Sequence, residues 1–254
     1  MNIVEINSLD DHRIKDFLSL KKIENKIVCE SQKVLHKLIK KNISINKILV
    51  EDNFFNNNKN LFENLNTNIF VVNKNISSNI VGYKLHKGVI AITDMLDYFP
   101  LEKLGETIIL LNGLTSPENV GSIVRTSMGF GIDSLIYDEK TVSPYMRRCI
   151  RVSTGNVLNQ RIHKSKNILQ TIKKLKQLNY QIISTANTKD SLNLTKFKSL
   201  RKKVIIIGSE GHGIEKEVLK ASDDIVKIPV SEEVEHYNAS ISASIVMYHI
   251  TQFL

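Results

Sequence analysis

Residues 205–219, IIIGSEGHGIEKEVL, pass from an apolar run through three glycines and a lone acid into a helical pattern. Ile205, Ile206 and Ile207 read as the end of a buried strand. Glycines directly after a strand let main-chain groups approach a ligand and take positive φ, and the helix start beyond them attracts negative charge. Gly208, Gly211 and Gly213 are spaced G-x-x-G-x-G, which is not the dinucleotide G-x-G-x-x-G, and no G-x-x-x-x-G-K-[ST] phosphate loop occurs in the chain. Glu210 stands among these glycines, where an acid suits a cation or an amine better than a phosphate. The stretch therefore predicts strand, ligand loop and helix in an α/β sheet, with a tight turn that binds nothing as the plain alternative.

The same alternation extends outward. From Thr107 the order is strand TIILL, loop, helix, strand SLIY, helix, helix NILQTIKKLKQL, strand YQIISTA, strand KVIIIG, helix, strand IVKIPV, helix. It predicts an α/β fold on a mainly parallel sheet covered by helices, with ligands in the loops at the carboxyl ends of the strands. In the N-terminal third, ESQKVLHKLIKK places Val34, Leu35, Leu38 and Ile39 at helical spacing, and INKILVED, NIFVVN and GVIAI read as strands. TDMLDYFPLEKLGE, residues 93–106, gathers turn residues, acids and Pro100 between two apolar strands. The expected organisation is a domain over 1–93, a linker over 94–106 and a second domain over 107–254.

Two further loops follow strands of the second domain. In LTSPENVGSIVRTSMGFG, Ser116 and Pro117 make a good helix start, with Glu118 complementing the helix dipole. Val120, Ile123, Val124 and Met128 form the stripe expected to face the sheet. Glu118, Gly121, Ser122, Arg125 and Gly129 form a stripe of small residues around one arginine, suited to a large ligand or to close helix packing around a surface ion pair. In VKIPVSEEVEHYNASISASIVMYHI, Asn238 and Ser240 open a helix that is apolar or small on most sides, and Asn238 reads equally well as a plain N-cap.

The chain has 254 residues, 42% of them hydrophobic, and a net charge of +9. No run reaches the roughly 18 to 20 apolar residues of a membrane span, and the N-terminus lacks an apolar signal core, so a cytoplasmic globular protein without a membrane partner is expected. Cys29 and Cys149 have no metal-ligand spacing, and no metal is expected. The charge is uneven: between Lys140 and Lys189 there is no acid and a charge of +11. Lys173, Lys174 and Lys176 suit a solvated helix face. Arg147, Arg148 and Arg151 fall within about one helical turn, and with Arg161 and Lys164 they are the expected phosphate contacts.

In order and content the three loops resemble the three motifs of the SpoU/TrmH branch of the SPOUT superfamily of RNA methyltransferases. NVGSIVRTSMGFG is similar to the first, IIIGSEGHGI to the second and IPVSEEVEHYNASISASI to the third, together covering residues 108–250. The resemblance implies a 2′-O-methyltransferase using S-adenosylmethionine, a C-terminal trefoil-knotted parallel-sheet domain, and a homodimer formed through that domain. DDHRIKDFLSL, CESQKVLHKLIKK, INKILVED and especially LHKGVIAI look like the RNA substrate-binding domain that precedes the knot in ribosomal-RNA enzymes of the family, a small α/β domain similar to small ribosomal proteins.

Matched residue by residue, the resemblance places Asn119 and Arg125 on the catalytic pair, Glu210 on the motif-two acid, and Asn238 and Ser240 on the motif-three polar positions. Gly208, Gly211, Ile228 and Val230 would hold the cofactor with Asn238 and Ser240, and Glu210 would fix Arg125 or the incoming ribose. His236 and Tyr237 stand where the family usually has serine and leucine. The expected substrate is 23S ribosomal RNA. The alternatives are transfer RNA, or a non-catalytic RNA-binding protein of ribosome assembly with the same fold. A nucleotide-binding oxidoreductase is disfavoured by the glycine spacing.

Overall fold

The computed structural model describes residues 2–20, 25–81, 88–231, 233 and 237–252. Leu85, His86 and Lys87 of the LHKGVIAI stretch, and His236 of the third motif, lie outside them. The chain divides into two compact units, one of Met1–Leu96 with Tyr145–Leu158, the other of Asp97–Pro144 with Asn159–Leu254.

In the first unit, strands β1 (Asn2–Ile6), β2 (Lys26–Glu30), β3 (Ile45–Glu51), β4 (Asn68–Val72) and β5 (Val89–Asp94) form one sheet in the order β1-β4-β3-β5-β2. β1 and β3 run parallel to β4, while β5 is antiparallel to β3 and β2. Helices α1 (Lys15–Leu18), α2 (Gln32–Lys40), α3 (Asp52–Asn57) and α4 (Lys74–Val81) accompany the sheet. Ile14, Phe17, Val28, Leu49, Phe70 and Ile90 are buried together in its core. Of the predicted apolar face of α2, Val34, Leu35 and Leu38 are buried. The sequence reading proposes no strand at β1 or β2.

The second unit carries β6 (Thr107–Asn112), α5 (Pro117–Gly129) and β7 (Ser134–Tyr137). The chain then leaves it for α6 (Arg147–Val152), which belongs to the first unit. It returns with β8 (Arg161–Lys164), α7 (Ile168–Gln177), β9 (Gln181–Thr185), β10 (Leu192–Asn193), β11 (Lys203–Gly208), α8 (Lys216–Ala221), β12 (Asp224–Lys227) and α9 (Ala239–Gln252). These strands form a wholly parallel sheet in the order β10-β12-β9-β11-β6-β7-β8. Ile108, Leu110, Val204 and Ile206 on the central strands are buried, as expected of a parallel sheet covered on both faces.

Two expected boundaries differ from the structure. Leu101 and Leu104 of the expected linker are 5% and 7% exposed and sit in the core of the second unit, and the Phe99 N–H donates to the Ile162 carbonyl at 2.8 Å. This segment lies along the edge strand β8 because its spaced leucines have an apolar surface to cover. Tyr145–Leu158 packs with the first unit although it falls inside the expected second domain. Arg147 pairs there with the buried Glu30, Arg151 lies 3.7 Å from the same carboxylate, and Lys37 Nζ donates to the Thr154 carbonyl at 2.9 Å and to Asn156 Oδ1.

Candidate active site

The three motif loops meet at the carboxyl ends of β6, β11 and β12. The first is anchored by Asn112 at the end of β6. Its Nδ2 donates to Asp138 at 2.8 Å and to Glu215 at 3.3 Å, and its Oδ1 accepts from the Glu215 N–H at 3.0 Å. Asp138 is buried and also accepts from the N–H groups of Gly113 and Thr141. α5 then starts as its sequence predicts: Ser116 is the N-cap, accepting from the Asn119 N–H at 3.3 Å, with Pro117 at the first position.

The second loop closes on itself. Ser209 and Gly213 exchange two backbone hydrogen bonds, at 3.1 and 2.9 Å, and Gly213 has φ +65°. A Cβ on Gly208 would meet the Gly213 carbonyl carbon at 2.4 Å, whereas nothing stands within 4 Å of one on Gly211. Gly208 is thus required by the approach of its own loop, Gly213 by its backbone angle, and Gly211 leaves the loop open.

α9 begins at Asn238, and this residue organises the site. Its Oδ1 accepts from the Ser240 N–H at 2.9 Å, the Ser240 hydroxyl at 2.7 Å and the Ile241 N–H at 3.4 Å, which is N-capping. With its oxygen committed to the helix, its Nδ2 turns the other way and donates to Asn119 Oδ1 at 3.0 Å and to Glu210 Oε1. Glu210 Oε1 also accepts from the Ala239 N–H at 3.4 Å, a carboxylate at the positive end of α9.

Asn119, Glu210 and Asn238 are therefore brought together from three loops. Arg125 is not joined to them: it is exposed on α5 and makes no hydrogen bond or ion pair among the described residues. Glu210, expected to fix Arg125 or a ribose, is held by Asn238 and the helix end.

Beside the network lies a cavity of about 430 Å³, within the roughly 300–1,000 Å³ range of small-molecule sites. Gly208, Gly211, Ile228 and Val230 line it, together with Glu210, Tyr237 and Ala239. Asn238 and Ser240 are not in its wall and serve the cap instead. Thr185, the last residue of β9, and Ala186 and Asn187 just after it line the cavity as well and were not singled out from sequence. They occupy the carboxyl end of the strand beside β11, which is the signal that could have found them.

The expected phosphate contacts divide between the units. In the first, Arg147 and Arg151 face Glu30 and Arg148 is exposed. In the second, Arg161 is bound to Asp133 at 2.6 Å and to the Lys103 carbonyl at 2.8 Å, while Lys164 is exposed. Among the described residues no helix is long and apolar enough to cross a membrane.

Residues 106–248 match the SpoU rRNA Methylase family. A Staphylococcus saprophyticus protein named for the TrmH family of tRNA/rRNA methyltransferases is 30% identical over 223 residues, 82% of this chain and 88% of the relative. In fold the chain is similar to an AdoMet-bound rRNA methyltransferase of Sinorhizobium meliloti, with TM-score 0.87 and 19% identity over 99% of this chain and 98% of that one. It is also similar to the SpoU methyltransferase AviRb of Streptomyces viridochromogenes, with TM-score 0.83 and 16% identity over 94% and 96%. These matches define an RNA methyltransferase. The chain belongs to the SpoU rRNA Methylase family.

Proposed function

We propose that the protein transfers a methyl group from S-adenosylmethionine to a ribose 2′-hydroxyl of RNA, with 23S ribosomal RNA as the substrate. The observation that carries this is the Asn119–Asn238–Glu210 network beside the glycine-walled cavity.

The cavity residues fit the cofactor. Ile207, Ile214, Leu219, Val226 and Ile228 offer an apolar wall for an adenine, the open face at Gly211 admits main-chain contact, and Glu210 supplies negative charge for a sulfonium. When bound, the cofactor supplies an electrophilic methyl group. The chain's part is to align the ribose oxygen and receive its proton, and alignment alone is worth effective molarities of roughly 10⁵ M or more. Arg125, exposed on α5 and without an ion pair among the described residues, holds the adjoining phosphate and the developing alkoxide. A guanidinium does not give up its proton in proteins, so the ribose proton passes to Glu210 or to water. Glu210 Oε1 is engaged by Asn238 and Ala239, which leaves Oε2 for this role.

Ribosomal RNA is supported over transfer RNA by the extent of the fold likeness. The S. meliloti protein, described as an rRNA methyltransferase, matches 99% of this chain, first unit included, whereas a tRNA-modifying TrmH/SpoU enzyme of A. aeolicus matches 58% with TM-score 0.52. The trefoil knot and a homodimer belong to the same reading. Ile241 and Tyr248 on α9 are 51% and 53% exposed, an apolar stripe for a second copy to cover, and light scattering should show twice the chain mass.

The test is transfer of radiolabelled methyl groups to large-subunit ribosomal RNA and to bulk transfer RNA, followed by nucleoside analysis. Label in ribosomal RNA alone, recovered as a 2′-O-methylnucleoside, is expected. Label in transfer RNA alone, or on a base, overturns the reading.

A further inference from the structure

The glycine loop of the second motif is fixed to one residue at both of its ends. At its entry, Gly208 lies beside Asn112 in the parallel register of β11 and β6. At its exit, the Glu215 N–H donates to Asn112 Oδ1 at 3.0 Å, and Asn112 Nδ2 donates back to Glu215 Oε1 at 3.3 Å. Between these points the chain folds tightly on itself, with Gly208 against the Gly213 carbonyl and the Ser209–Gly213 pair across the neck. Glu210 and Gly211 therefore stand on a loop whose base is gripped by a single side chain.

Asn112 also starts the first motif loop. The Gly113 N–H that follows it donates to Asp138 at 3.1 Å, and this buried carboxylate also accepts from Asn112 Nδ2 at 2.8 Å. That loop ends in the α5 cap, where Ser116 accepts from the Asn119 N–H. One carboxamide, on a residue only 1% exposed, thus sets the base of the loop that bears Glu210 against the base of the loop that leads to Asn119. Asn238 joins the same two loops at their other end.

The residue type follows from the contacts. Asn112 accepts from one N–H and donates to two carboxylates, and a carboxamide has both capacities. Aspartate would bring a third carboxylate to Asp138 and Glu215, and an apolar side chain would leave buried polar groups unpaired. Strand pairing does not require the grip: β11 is held along its length by β6 and β9, and those ladders end at Gly208, before the loop begins.

We propose that Asn112 is a positioning residue for methyl transfer, holding the Glu210 loop in register with the Asn119 loop so that Asn238 spans them beside the cavity. Asn112 is not in the cavity wall and acts through the residues it aligns. This deepens the proposed function and rests on it.

The experiment takes two readouts on the full chain. Amide hydrogen exchange over residues 209–216 reads the grip with no substrate present. Loss of a buried hydrogen bond shifts an opening equilibrium about 10-fold, so Asn112→Ala should exchange about 10-fold faster there, with β6 and β11 unchanged. At saturating cofactor its kcat should fall about 10-fold while KM for RNA stays within about twofold, the pattern of lost transition-state alignment. Because Asn112 acts through the network, N112A/N238S should lose about 100-fold, no more than Asn238→Ser alone, whereas independent effects would multiply to about 1,000-fold. Glu215→Ala removes half of the grip and should change both readouts about 3-fold; it carries the same criteria if Asn112→Ala does not fold. Lys140→Ala, which removes only the outer ion pair to Glu215 at 3.0 Å, should change neither. Unchanged loop exchange, unchanged kcat, or multiplied losses in the double variant overturns the positioning role. Wild type that transfers no methyl group, while Asn112→Ala still speeds exchange, would instead sink the methyl-transfer reading and leave the grip standing.

Discussion

At the scale of single residues, Asn238 shows how one side chain can cap a helix with one atom and tie two loops together with another. From sequence it reads either as an N-cap or as a motif residue; in the structure it caps α9, and the capping fixes where its amide nitrogen points. Its oxygen is drawn to the α9 N–H groups, so its NH₂ must face Asn119 and Glu210. Asn119 then presents its own oxygen to Asn238 and turns its NH₂ elsewhere. Asn238→Ser separates the two roles, because serine caps as well as asparagine but offers no second donor. Its unfolding free energy should stay within about 0.5 kcal/mol of wild type, while methyl transfer falls about 100-fold through lost alignment. Asn238→Ala should lose transfer and about 1 kcal/mol of stability as well. Full activity in the serine variant, measured beside its urea melt, would show that capping was the whole contribution.

At the scale of elements, what was legible followed burial. SLIY, KVIIIG and the α2 and α7 patterns are local apolar periodicities, and each forms the element its period predicts. β8 and β10 were not legible because RIHK has a single apolar residue and LN is two residues long, so neighbours rather than pattern make them strands. The Cys29 thiol on β2 is a consequence of burial that the sequence does not disclose: it is fully buried, and desolvation of the thiolate pushes it from 9.0 up to about 12. A raised thiol adds stability that is complete below the unfolded value and is lost as pH rises toward the folded one. Stability should therefore decline between pH 9 and about 12. Cys29→Ala should flatten that limb in denaturant titrations, and iodoacetamide should spare the native thiol at neutral pH. Ready native alkylation would contradict the burial.

For the whole molecule, the division into units follows long-range charge pairing as much as sequence order. Glu30 and Arg147 are 117 residues apart, yet their pair helps hold Tyr145–Leu158 in the first unit. Glu30→Ala leaves Arg147 with a side chain only 22% exposed and that carboxylate gone. Breaking such a pair costs about 3 kcal/mol, so urea unfolding should show a loss of that order. A loss within error would mean that Cys149 and Ile150, both buried on α6, fix the segment by packing alone.

The sequence by itself determined the α/β alternation and the three loops on which the candidate residues Asn119, Glu210 and Asn238 stand. Strand and helix periods, caps and glycine turns are written over a few neighbouring residues. Only the tertiary structure decided which arginines face an acid, that Leu101 and Leu104 of the expected linker join the core, and that Asn238 joins Asn119 to Glu210. Ion pairs, burial and amide orientation depend on what packing brings alongside, and no local pattern specifies a neighbour more than a hundred residues away.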